Sequence, residues 1–110
     1  MMFESGAIVI VHLVNPTEKV WGLLETLDSA GVVVRGISLS SFDDWMLQAL
    51  RQEKPSLGLS TSFVPMFRVE RIFLDEQVGE VESYGQRFER SVGVPIQEYL
   101  KLERNREIPS

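Results

Sequence analysis

The sequence predicts an α+β domain that is mainly β. Five antiparallel strands are expected, with one helix inserted between the third and fourth and a helical pair at the C-terminus. Three observations predict this. Two apolar arms, Lys19–Leu27 and Val32–Leu39, flank the turn Asp28-Ser29-Ala30-Gly31, the pattern of an antiparallel hairpin. Phe42, Trp45, Met46, Ala49 and Leu50 then recur at i, i+3, i+4, i+7 and i+8, the stripe of an amphipathic helix. Near the C-terminus the helical period returns in Tyr84, Phe88 and Val92, and again in Ile96, Tyr99 and Leu100.

The first strand is Ala7–Val14, a continuous β-branched run suited to burial on both faces. Pro16 ends it, because proline fixes φ and offers no N–H to a ladder. Gly22 lies inside the second strand, where it costs entropy; it marks sharp curvature or close backbone approach. The inserted helix starts after Ser40-Ser41. Ser41 is the expected N-cap, and Asp44 three residues on completes a capping-box pattern. Asp43 and Asp44 suit the positive end of the helix dipole, and Pro55 and Gly58 stop the chain beyond it. Leu57–Phe67 reads as a looser extended segment, with Pro65 marking an edge or bend. Arg68–Leu74 alternates, with Val69, Arg71 and Phe73 on one side and Glu70, Ile72 and Leu74 on the other. Val78–Val81 reads as a short last strand. Ser83 with Gln86 forms a second capping pattern, Gly93 breaks the helix, and Pro95 restarts it.

Length and composition limit the function classes. A chain of 110 residues with 44% hydrophobic content is expected to fold as one domain with a real core, and its composition favours a globular fold over disorder. It has no cysteine and one histidine, which excludes disulfides, thiolate metal sites and the usual multi-histidine zinc sites. No cofactor is expected. Residues 1–82 carry 6 Lys/Arg against 12 Asp/Glu, and residues 83–110 carry 5 against 4. Such a body attracts no phosphate backbone over long range. The apolar run Ala7–Val14 is too short to span a bilayer and lacks the flanks of a signal peptide. A cytoplasmic protein with no membrane partner is the expectation.

The hairpin resembles the first conserved motif of the Sm/LSm/Hfq family of small β-barrels. That motif is apolar-x-Gly-x-apolar followed by an Asp in the turn; here it reads Trp21, Gly22, Leu23, Leu24, then Leu27-Asp28. Phe67-Arg68 followed by Ile72 resembles the family's second motif. The resemblance covers Ala7–Leu74, with Ser40–Gly58 as an insertion. It implies a strongly bent five-stranded antiparallel barrel over residues 7–82, including the inserted helix at about 41–53. The C-terminal helices occupy 83–104 and a polar tail occupies 105–110, all within the single domain 1–110. It also implies a homo-oligomeric ring closed by edge-strand pairing, and the apolar segment Phe63, Val64, Met66 and Phe67 is the expected oligomer edge. Where the family reads RNA with an Asn or an aromatic after the turn, this chain has Ser29, Ala30, Gly31 and Val32.

No catalytic constellation is present in the sequence. His12 has no nucleophile or acid placed beside it, and Asp43-Asp44 is explained by capping and the helix dipole. The acidic run Asp75, Glu76, Glu80 and Glu82 lacks the spacing of an ion-binding loop. The expectation is therefore not an enzyme but an oligomeric scaffold or protein-interaction module, with no catalytic residues and no metal. One alternative is single-stranded RNA binding through Phe67, Arg68 and Arg71, with Asp28 at the turn. A second is DNA binding by a C-terminal helix-turn-helix, with Arg87, Arg90, Lys101, Arg104 and Arg106 supplying charge.

Overall fold

A computed structural model describes residues 3–54 and 56–107, with side chains as far as residue 105. Five strands, β1 (Ile8–Leu13), β2 (Glu18–Leu27), β3 (Gly31–Ser38), β4 (Ser60–Pro65) and β5 (Val69–Leu74), form one antiparallel sheet in the order β4-β3-β2-β1-β5. Helix α1 (Phe42–Leu50) is inserted between β3 and β4, and α2 (Tyr84–Val92) and α3 (Ile96–Glu107) follow the sheet. The α+β class, the inserted helix and the C-terminal helical pair are as the sequence predicts.

The barrel is not. Closure needs a ladder joining the two outermost strands. Here β4 and β5 lie at opposite edges, with no pairing between them among the described residues. The physical reason is local. Pro65 has no N–H, and the chain enters a 3-10 turn at Met66–Arg68 directly after it. The expected strand Leu57–Phe67 thus shortens to Ser60–Pro65 and leaves the strand direction before it can pair with β5. The sheet is open, the assignment to the Sm/LSm/Hfq barrels does not hold, and the ring inferred from it loses that support.

Two cores result, one on each face. On the helix side Trp21, Phe42, Trp45, Leu59, Phe88, Ile96, Tyr99 and Leu100 form one buried cluster. The Trp45 ring lies 5.2 Å from Phe88 and meets Tyr99 edge-to-face at 5.5 Å, so it joins all three helices. On the other face Val9, Val11, Leu13, Leu24, Val32, Val34 and Val64 are buried, with Met66, Val69, Ile72 and Leu74 packed against them. Side chains from both edge strands meet there. The sheet therefore bends over this face while its edges stay unjoined.

Gly22 and Gly36 permit the bend. They face each other across β2 and β3, and a Cβ on Gly22 would lie 2.2 Å from the Arg35 carbonyl oxygen. Two bulges add to it. The β2–β3 register shifts between Leu24 and Thr26, and the β1–β5 register shifts between His12 and Leu13. The second bulge corrects the predicted facing of β5. Glu70 is the extra residue, so Val69 joins Ile72 and Leu74 in the core instead of siding with Arg71 and Phe73.

Helix ends differ in how well they follow the sequence. Ser83 accepts from the Gln86 N–H at 3.0 Å, and the Gln86 side chain accepts from Ser83 N at 2.7 Å, the predicted capping box. Gly93 ends α2 at φ 84° and donates to Glu89 O. Ser41 makes no side-chain cap. It belongs to the 3-10 turn Leu39–Ser41 and already has helical φ and ψ, which denies its hydroxyl the capping position. Helix α1 ends at Leu50; the predicted stop at Pro55 lies outside the described residues. Val78–Val81 is a tight turn closed by one reciprocal bridge, not a strand. The predicted tail is helical through Glu107, and residues 108–110 lie outside the described residues.

Candidate functional site

The outer edge of β4 is open, and four of its six residues are exposed. Its six residues, Ser-Thr-Ser-Phe-Val-Pro, carry no charge. The register pairs Val64 with Val32, Ser62 with Val34 and Ser60 with Gly36, and Met66 N donates to Ala30 O at 3.0 Å. Antiparallel alternation then turns the backbone groups of Ser60, Ser62 and Val64 inward, and those of Thr61 and Phe63 outward. Pro65 falls on an outward position, where its missing N–H disturbs no bond to β3. Phe63 is 57% exposed beside this edge.

The chain entering β4 is firmly anchored. Gln48 on α1 accepts from the N–H groups of Ser56 and Leu57 and donates to Leu57 O, at 2.8, 3.0 and 2.9 Å. Glu103 on α3 accepts from Leu59 N at 3.2 Å and from the Trp45 indole at 2.6 Å. Both side chains are buried and both were missed in the sequence. Gln48 carried a signal, since it stands at i+3 from Trp45 on the apolar stripe. Glu103 carried a similar one, at i+4 from Tyr99.

The opposite edge is guarded. β5 carries Glu70 and Arg71, and its bulge interrupts the ladder. Charge and bulging are the usual means by which sheets resist strand addition. β4 has neither.

The four residues expected at an oligomer edge separate into two pairs. Val64 and Met66 pack into the second core, whereas Phe63 and Phe67 are exposed, Phe67 at 82%. The residues considered for RNA do not share one surface role. Arg68 donates to the carbonyls of Val14 and Pro16 at 3.0 and 2.8 Å and pairs with Glu18 at 2.7 Å, tying the 3-10 turn to the β1–β2 turn. Arg71 lies over the Phe73 ring, 5.5 Å from its centroid. Asp28 accepts from the N–H groups of Ala30 and Gly31, the ordinary bonds of an Asp turn. The basic residues considered for DNA are partly engaged. Arg87 pairs with Asp43, Arg90 with Glu82 and Arg104 with Glu25. The hydrogen bond from Arg90 holds the Glu82 carboxyl below the usual carboxylate range. Lys101 is exposed, and the side chain of Arg106 lies outside the described residues.

Asp75, read as part of an acidic run, is an internal cap instead. It accepts from Tyr84 N and Gly85 N, both at 2.8 Å, and from the Trp21 indole at 3.1 Å. Among the described residues no group of three or more His, Asp or Glu side chains is placed to hold a metal ion. No described helix is long and apolar enough to cross a membrane. No protein-family model, curated protein or solved structure matches the chain.

Proposed function

We propose that this chain is a non-catalytic interaction module that associates with a second copy of itself through β4. The observation that supports this is the contrast between the edges: β4 is exposed and uncharged, with Pro65 at its end its one guard, while β5 carries charge and a bulge. Strand addition suits β4 because Thr61 and Phe63 turn their N–H and C=O groups outward.

A second copy is the occupant that fits its sequence. A two-fold axis through Ser62 sets Thr61 of each copy opposite Phe63 of the other. That register makes about four backbone hydrogen bonds between outward-facing residues. It brings no like charges together, although each chain carries a net charge of −5. It also places each exposed Phe63 against a threonine, a favourable cross-strand pair. A ladder this short predicts a dimer constant on the order of micromolar.

Sedimentation equilibrium tests the reading. The wild-type chain is expected to dimerise, and Ser62→Lys, which sets two ammonium groups face to face at the axis, is expected to leave a folded monomer. A wild-type chain that stays monomeric at about 100 μM, or a Ser62→Lys variant that dimerises as well as wild type, refutes it.

A further inference from the structure

A second surface, separate from β4, carries a row of donors. The ladders pair His12 with Lys19 on one side and with Arg71 on the other. Directly paired residues project to the same face, so the three side chains stand in a row across β2, β1 and β5, their Cα atoms about 5 Å apart from strand to strand. Lys19 and Arg71 are exposed and His12 is half-buried. Four arginines elsewhere have acidic partners: Glu18 takes Arg68, Asp43 takes Arg87, Glu82 takes Arg90 and Glu25 takes Arg104. Among the described residues Lys19 and Arg71 have no ion pair.

One aromatic ring organises the row. Phe73 sits 4.8 Å from the His12 ring and 5.5 Å from the Arg71 guanidinium carbon, so it packs against both. Beside Lys19 an open depression of about 500 Å³ is lined by Thr17, Glu18, Ser38, Leu39 and Ser40. Its lining includes three hydroxyl-bearing residues, of which Ser38 and Ser40 hydrogen-bond at 2.9 Å, together with Leu39 and with Glu18, whose carboxylate pairs with Arg68.

We propose that Lys19, His12 and Arg71 bind the terminal phosphate of a small phosphate monoester, with the depression beside Lys19 receiving its organic part. Three donors from three strands match the three terminal oxygens of a monoester. A carboxylate or a phosphate diester has only two. Glu70, the bulged residue beside Arg71, is an opposing charge that acts on His12. Burial, Lys19 and Arg71 disfavour the imidazolium and outweigh Glu70, which favours it, so a bound dianion would favour it and bind more tightly when it forms.

His12 is the chain's one histidine, so its imidazole resonances report this site without overlap. Inorganic phosphate, titrated into the intact protein at constant ionic strength, is expected to shift those resonances saturably and to raise the His12 pKa. Lys19→Gln and Arg71→Gln, both at exposed positions, are each expected to weaken binding about tenfold. Methyl phosphate is expected to bind and dimethyl phosphate to bind at least about tenfold more weakly. Non-saturating shifts that chloride reproduces overturn the proposal, as does unchanged binding in both glutamine variants. Equal binding of the diester overturns the monoester assignment.

Discussion

Replacing Glu103 with leucine removes the acceptor shared by two buried donors. The Trp45 indole loses a 2.6 Å bond and Leu59 N a 3.2 Å bond, and the site is only 7% exposed. Water does not replace the carboxylate there. The two orphaned donors together cost about 2–6 kcal/mol and leucine burial returns about 1.5–3 kcal/mol, for a net loss centred on about 2 kcal/mol. Against a stability of about 5–15 kcal/mol for a domain of this size, that is a large displacement of a urea midpoint. The logic is sharpened by a cycle with Trp45→Phe, which removes one of the two donors. If the indole–carboxylate bond carries the loss, the single variants couple by about 1–2 kcal/mol. Urea unfolding followed by far-UV circular dichroism measures all four proteins. A Glu103→Leu loss below about 1 kcal/mol, or additivity within about 0.5 kcal/mol, refutes the reasoning. Glu103 also holds Leu59 at the entrance to β4. The leucine variant is therefore expected to weaken self-association by more than its stability loss alone explains.

Two further outcomes follow from backbone packing and from titration. Gly22→Ala would place a methyl group 2.2 Å from the Arg35 carbonyl oxygen, a contact with backbone that no rotamer relieves. It is expected to destabilise by about 3 kcal/mol or more, whereas Gly79→Ala, with open space around it, strains only its positive φ; equal melting temperatures for Gly22→Ala and wild type would count against the glycine crossing. His12 has its pKa lowered on folding, first by burial and then by Lys19 and Arg71, with Glu70 opposing. The unfolded chain then binds the proton more readily. The contribution of His12 is complete above the unfolded value of 6.5 and is lost as pH falls through the lower folded value. Wild-type stability is expected to decline on acidification through this window more than that of His12→Asn, and parallel pH profiles for the two would refute the assignment.

The elements of the sheet and helices were legible because their signals are local. β-branched runs, a turn with Asp28 and Gly31, and three apolar stripes at helical spacing each specify an element without reference to the rest. The capping box at Ser83 and Gln86 is of the same kind. What the sequence hid depends on long-range pairing. The strand order β4-β3-β2-β1-β5 serves an open sheet and a closed barrel equally, and the difference lies in whether β4 and β5 meet. Pro65 and the 3-10 turn after it decide that. The bulge at Glu70 is equally silent, because strict alternation through Arg68–Leu74 reads well in either register. The polar anchors Gln48 and Glu103 were hidden for another reason: a glutamine or glutamate on an apolar stripe gives no sign of which backbone it will satisfy.

The open sheet changes what its edges mean. In a closed barrel β4 would be an interior strand, and its lack of charge would need no account. At an open edge the same six neutral residues leave the outward N–H and C=O groups of Thr61 and Phe63 with no charge or bulge to guard them, and Pro65 closes only the end of the strand. The protein spends two buried polar side chains, Gln48 and Glu103, on fixing the backbone that leads into this strand. A strand whose only role was to cover β3 would be served by packing of Val64 alone. Holding its start by hydrogen bonds from two helices sets the strand's register, and a fixed register is what pairing with another strand requires. β4 is therefore the part of the fold whose rigidity and exposure are hardest to explain without a partner.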